Sequence, residues 1–292
     1  MREITKINKE KEHTLCINPL NNAKFQSFIL KFPVYFSALL TAFVVLFIIL
    51  YIIIKGLPYL NSDFFALQYN SENCSVFPAL INTIIMTVLS LLLACPLGIG
   101  GAVYLVEYAE KGNKFVKLVR LTTETLAGIP SIIYGLFGML MFVVFFRFGY
   151  SLLAGSFTVA IMILPVILRT TEEALLAVPD SFREGSFGLG AGKLRTVFKI
   201  VIPSAIPGIL SGIILSIGRV IGESAALIYT AGTVAHIPST IMGSGRTLAI
   251  HMYILSSEGL HTNQAFSTAL VLLILVGAIN LVSSLLAKKI KK

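Results

Sequence analysis

Charge is scarce in this chain. Only 13% of its 292 residues are Asp, Glu, Lys or Arg, 56% are hydrophobic, and the mean hydropathy is +0.87. A typical soluble domain carries about 25% charged residues, so a soluble globular fold is excluded. Acids are the scarcer sign: 14 against 23 basic residues leave a formal net charge of +9. That excess does not read as a nucleic-acid surface, because the basic residues stand in short groups between apolar runs, as topogenic charge does. Cysteine is limited to Cys16, Cys74 and Cys95, in a tail, a loop and an apolar run. No pair of them shares a compartment, so neither a disulfide framework nor a zinc site is indicated. His251 and His261 have no Cys, His or carboxylate cluster at ligand spacing, which rules against a metal site. The phosphate loop G-x-x-x-x-G-K-[ST] is missing, so the chain does not itself bind ATP that way, and no cofactor is expected. No Ser/His, paired-Asp or zinc constellation supports an intramembrane enzyme. No internal repeat supports an inverted-repeat transporter.

What is abundant is long apolar sequence. Six runs reach or approach the roughly 20 helical residues that a hydrocarbon core of about 30 Å requires. They fall near 33–54, 80–104, 126–146, 152–168, 205–230 and 265–287. The expectation is an all-α membrane protein of six transmembrane helices. The first run is too long for a signal-peptide core and is followed by "IKGLPYLNS" rather than a small-x-small cleavage site, so it reads as an uncleaved anchor. Segments 1–32, 33–78 and 79–287 read as an N-terminal tail, a first helix with its outer loop, and a compact block of five spans. Within that block, "CPLGIGGAV" at the end of span two admits a kink or close helix contact.

Orientation follows from the basic residues. Nineteen of the 23 fall on one side: six in the N-terminal tail, then Lys111, Lys114, Lys117 and Arg120, then Arg169, Arg183, Lys193, Arg195 and Lys199, and four at the C-terminus. The other side holds Lys55, Arg147 and Arg246. The positive-inside rule therefore makes both termini cytoplasmic, as an even number of spans requires.

Arg219 alone lies within a span. Projected as one continuous helix at about 100° per residue, span five gathers Gly208, Gly212, Ser216, Arg219 and Glu223 on one face and most of its large aliphatics on the other. The expectation is a lipid-facing aliphatic side and a bundle-facing side of small residues with a charged pair. Arg219 and Glu223 are four apart, so they suit either a self-neutralising structural pair or a transport path, the usual meaning of intramembrane charge. Guanidinium is the fork that best fits an oxyanion. Arg169 and Glu172, at the inner end of span four, form a second candidate; Arg there is also ordinary snorkelling.

Between spans four and five, residues 172–205 are too long for a simple connection. Pro179, Asp180 and Ser181 read as a helix start, and the helix would display small residues, either to a partner groove or to the bilayer surface. From Glu184 the sequence "EGSFGLGAGKLRTVFKIVIP" resembles the EAA loop of bacterial ABC importer permeases: E-A-A, three residues, G, nine residues, I-x-L-P. Glu184, Gly190, Ile200 and Pro203 fall at the required places. Gly185 and Ser186 stand for the two alanines and Ile202 for the leucine.

Two further stretches, "PLGIGGAVYLVEYAE" and "ETLAGIPSIIYGLFG", with the C-terminal "GRTLAIHMYILSSEGL", are similar to the paired permeases of phosphate importers. The resemblance implies a type I ABC importer permease fold. Glu184, Gly185, Ser186, Gly190, Ile200 and Pro203 would dock on a separate ATPase, and Arg219, Glu223, Arg169 and Glu172 would serve a path for inorganic phosphate. It also implies a second permease, an ATPase dimer and a phosphate-binding protein as partners, in membrane lipid and without nucleic acid. The outer stretch "TLAIHMYILSSE" would plug the outer mouth, or meet that binding protein, or simply pack as a re-entrant or interfacial segment. A permease for another solute and a secondary transporter coupling protons through Arg219 and Glu223 are the alternatives.

Overall fold

The computed structural model describes residues 19–290 apart from Lys111, with side chains over 31–285. The tail charges Arg2, Lys6, Lys9 and Lys11, the terminal Lys291 and Lys292, and Cys16 lie outside the described residues. Two units are distinguished, Met1–Ile54 and Lys55–Lys292. Almost all of the first helix, α1 (Pro19–Gly56), belongs to the first unit. From Phe32 to Leu50 nearly every side chain is exposed, and Phe32/Phe36, Phe43/Phe47 and Phe47/Tyr51 stack one turn apart. A helix apolar all round has hydrocarbon as its natural solvent.

In the second unit α2 (Phe77–Val103) runs through Pro96 and ends in a wide π-turn, Tyr104–Tyr108. The central element is α5 (Leu152–Leu176), packed between α2 and α8 (Ile202–Ile221). Its most apolar stretch is 67% buried, against 33% for α2 and 28% for the helical run Lys193–Ile221, so α5 is the core of the bundle. Side chains of Met86, Ile163, Ile167 and Leu227 fill the space between them. The last span is α11 (Thr262–Ile290).

Among the described residues five helices are long and apolar enough to cross a membrane, six if one bent pair is counted as a single span. That pair is α3 (Lys114–Ala127) with α4 (Ser131–Gly138) and its π-helical continuation Met139–Phe145, meeting at 103°. The expected straight third span, 126–146, is therefore corrected. Gly128, Ile129 and Pro130 separate the two helices; Pro130 is extended (φ −58°, ψ 140°), outside the helical region, and a proline disfavours helical backbone in the residue before it, so the chain turns here. The α4 helix then lies against the short α9 (Ala225–Ile228) so closely that a Cβ on Gly135 would meet the Ala226 backbone at 2.8 Å. Backbone cannot step aside as a side-chain tip can. Gly135→Val is expected to cost the assembled subunit about 2 kcal/mol or more. A lowered melting temperature of the purified protein would show it.

Span four runs on beyond 168 to Leu176, and from Lys193 to Ile221 the chain is helical throughout, through α7 (Lys193–Thr196) and the π-turn Val197–Val201. The connection between the helices is thus shorter than 172–205. It carries one helix, α6 (Asp180–Gly188). At the opposite end of the bundle the segment after α9 folds back over the start of α5, with Leu152 and Leu153 donating to the Gly243 and Ile241 carbonyls. The "TLAIHMYILSSE" stretch forms α10 (Leu248–Glu258), a helix buried over its first turn and packed against α11 and α2.

Candidate functional site

Span five is not one helix. α8 stops at Ile221, and Gly222 and Glu223 turn the chain before the one-turn α9 begins. The projection carried Glu223 onto the Arg219 face by assuming an unbroken helix, and the break removes that relation. Glu223 is buried, and one carboxylate oxygen accepts the Ala226 N–H at 3.0 Å, capping α9. Among the described residues no ion pair joins it to Arg219. The self-neutralised pair is absent from this conformation.

The buried stripe of α8 passes through Ala205, Ile209, Gly212, Ser216 and Val220. It is rotated from the expected face, since Ile209 and Val220 were assigned to lipid. Gly212 sets it: a Cβ there would overlap the Thr170 side chain of α5. Arg219 sits half-buried at the margin, close enough to the Tyr134 phenol for electrostatic interaction. Beyond that margin Ser211, Leu215 and Gly222 are exposed. That margin thus mixes small and polar residues with one exposed leucine beside the guanidinium.

At the inner end of α5, Glu172 and Arg169 do not pair with each other. Glu172, mostly buried, binds Arg120 of α3 at 2.5 Å, while exposed Arg169 binds Glu173 at 3.1 Å. These four and Glu124 line an open cavity of about 250 Å³. Arg120 was read only as topogenic charge. Its partnership with Glu172 was hidden because they come from different helices.

The α6 motif is built on a tether. Pro179 is extended and starts the helix, and Arg183 then reaches back with five hydrogen bonds to four partners. It donates to Glu107 at 2.7 Å, to the Leu175 and Val178 carbonyls at 3.0 and 2.8 Å, and to Asp180 at 3.1 Å. Glu107 lies in the π-turn that ends α2, and its side chain is only 8% exposed. Arg183 therefore ties α6 to the inner ends of both α2 and α5. Ser186, also buried, shares a 2.8 Å hydrogen bond with Thr196 of α7.

What α6 presents outward is the rest of the motif. Glu184 and Gly185 are exposed, Gly190 takes φ +82° to end the helix, and Leu189 just before it is 91% exposed with Phe182 and Phe187 nearby. Ile200 stands on the following π-turn and Pro203 at the start of α8, and a cavity of about 300 Å³ brings Ser186, Gly190 and Ile200 together. Sequence reasoning missed Arg183, Glu107 and Thr196. The one signal was an acid at the inner end of span two and an arginine directly before the motif glutamate.

A bundle of this topology is also found in solved ABC transporters. Chains of two solved transporters share the fold: one from a bacterial alginate ABC transporter (TM-score 0.66, 18% identity, 90% of this chain and 97% of that one), and one from the inward-facing MetNI methionine transporter (0.58, 21%, 74% and 94%). The chain belongs to the family of binding-protein-dependent transport system inner membrane components, matched over residues 94–292. Among its relatives are the probable ABC transporter permease YqgI of Bacillus subtilis, 35% identical over 71% of this chain and 76% of that one. Others are the phosphate transport system permease proteins PstA of Mycobacterium leprae (38%; 70% and 68%) and Pasteurella multocida (36%; 65% and 71%). It is thus a multi-pass inner-membrane permease subunit without catalytic chemistry of its own. Its family implies an ATPase and a binding protein as partners.

Proposed function

We propose that this chain is the PstA-type permease of an importer for inorganic phosphate. The observation that carries the reading is its likeness, at 36–38% identity over about two thirds of both chains, to phosphate transport system permeases of two distant bacteria. In this reading a PstS-like protein delivers phosphate at the outer face and a PstC-like permease forms the other wall of the path. A PstB-like ATPase dimer receives α6, with Glu184, Gly185, Ser186 and Gly190 at the contact and Ile200 and Pro203 bracing it. Exposed Leu189 and Phe187 suit such a groove.

Arg219 supplies the cation facing the path, and its freedom from a carboxylate in this conformation supports an anionic cargo. Glu223, four residues further along the chain and occupied as a cap, acts as the counter-charge that takes Arg219 when phosphate leaves. Arg169 and Glu172 line the inner exit. The domain block 79–287 then corresponds to the transporting unit.

Competition decides the cargo. In vesicles holding all four subunits, excess sulfate is expected to leave phosphate uptake unchanged, and omission of the ATPase to abolish it. Sulfate blocking as well as phosphate does would point to a general oxyanion permease. ATPase-independent uptake would point to a secondary transporter.

A further inference from the structure

Apart from the Arg183–Glu107 pair already described, three buried residues among those described carry formal charge: Glu172, Glu223 and Arg246. The two acids are satisfied, one by Arg120 and the other by the Ala226 N–H. Arg246 is not. It is 5% exposed, no carboxylate pairs with it among the described residues, and its Nε and one terminal nitrogen have no hydrogen-bond partner. Its guanidinium lies 4.4 Å from the centre of the Tyr69 ring. A cation–π contact alone is weak recompense for desolvating two donors.

Its position makes the charge stranger. Arg246 stands two residues before α10, whose N-terminus is itself positive, a place where acids stabilise and cations do not. Thr247, at the N-cap with extended backbone (φ −83°, ψ 170°), makes no capping bond, and its hydroxyl is buried without a partner. One turn further, buried His251 stacks edge-on to Tyr69 at 5.9 Å and bonds the Cys74 carbonyl at 3.3 Å, leaving Nδ1 unpartnered. Burial and the neighbouring guanidinium hold that imidazole neutral, with its pKa pushed down to about 3. The loop around Arg246 is fixed nonetheless: Asn82 of α2 donates to the Arg246 and His236 carbonyls at 3.2 and 3.0 Å, and Thr83 accepts the Leu248 N–H at 2.9 Å. A rigid frame thus holds a cation, a helix N-terminus and a spare hydroxyl together with no anion from the chain.

We propose that Arg246, Thr247 and the N-terminus of α10 form a second, outer-side site for a tetrahedral oxyanion, roofed in this conformation by Tyr69. Resting on the phosphate reading above, it receives inorganic phosphate before Arg219 does. Tyr69 holds the guanidinium on its ring while the site is closed. When the loop carrying Tyr69 lifts, the two unpaired guanidinium donors and the Thr247 hydroxyl face the arriving anion together.

The test uses the whole permease–ATPase complex in an Arg219→Gln background, which removes the inner site's response. Its melting temperature is titrated with inorganic phosphate and with chloride as control. Phosphate is expected to raise it, Arg246→Gln to weaken that response about tenfold or more, and Arg246→Lys to keep part of it. Tyr69→Leu, by unroofing the site, is expected to strengthen the response even while lowering the melting temperature itself. An unchanged phosphate response in Arg246→Gln overturns the proposal, as does no response in the background complex. Should Arg246→Gln fail to assemble, Thr247→Val is read instead, and an unchanged response there overturns it equally. Uptake by the complex with Arg219 intact, measured alongside, separates the outcomes: phosphate transport with no Arg246 effect sinks this site alone, whereas absence of phosphate transport sinks the cargo.

Discussion

Reversing the charge at Arg183 is expected to uncouple the importer. Arg183→Glu would leave Glu107 buried beside a second acid, and breaking a buried pair in this way costs about 3–5 kcal/mol locally. The Leu175 and Val178 carbonyls lose their donors as well. The exposed motif residues Glu184, Gly185 and Leu189 are untouched, so α6 keeps the surface proposed to meet the ATPase. What it loses is its hold on the end of α2. ATP hydrolysis by the assembled complex should therefore persist while uptake falls by about tenfold or more, from the same pair energy. The double variant Arg183→Glu, Glu107→Arg should restore a substantial part of transport. If the single variant imports at the native rate, the tether has no mechanical role. If hydrolysis and uptake fall in step, it serves only to hold α6 in place.

A second large effect is expected at Arg219. Arg219→Gln keeps a planar, hydrogen-bonding side chain, shorter than the native one, and removes the charge. An oxyanion loses one or two charge-assisted bonds, about 1.5–3 kcal/mol each, so uptake should drop about tenfold to a hundredfold or more. Arg219→Lys should retain more activity than Gln but not full activity, because a point charge does not reproduce the fork. The variant should still fold, since Arg219 is half-buried at the stripe's edge and makes no ion pair among the described residues. Glu223→Gln is the informative comparison. If Glu223 is only the cap of α9, the amide oxygen still accepts from Ala226 and uptake survives; if it also takes Arg219 as the anion leaves, uptake falls.

The parts of the fold that are legible in the sequence are those governed by local rules. A run of twenty apolar residues is a span wherever it occurs, and the EAA spacing marks α6 because the start of the motif lies on that short helix and its required glycine falls just past its end. Breaks inside apolar runs are harder to read. "LAGIPS" and "IGES" change little in hydropathy, yet the first turns the chain by 103° and the second ends α8. In each a glycine precedes the turn, but glycine is common in straight transmembrane helices too. The angular projection of span five inherited that error, and with it the pairing of Arg219 with Glu223.

Contacts between distant elements left no local trace. Arg183 and Glu107 are 76 positions apart, and nothing in either neighbourhood names the other. Arg246 was counted as one more outer-side charge. Only its burial without an acid distinguishes it from a snorkelling surface residue.

The most direct measurement is phosphate accumulation by vesicles containing the four subunits, with ATP inside the lumen that corresponds to the cytoplasm. Native complex should accumulate inorganic phosphate only when ATP and the ATPase are present, ignore excess sulfate, and lose at least about nine tenths of its rate in Arg219→Gln. Full-rate, phosphate-selective uptake by Arg219→Gln would contradict the account.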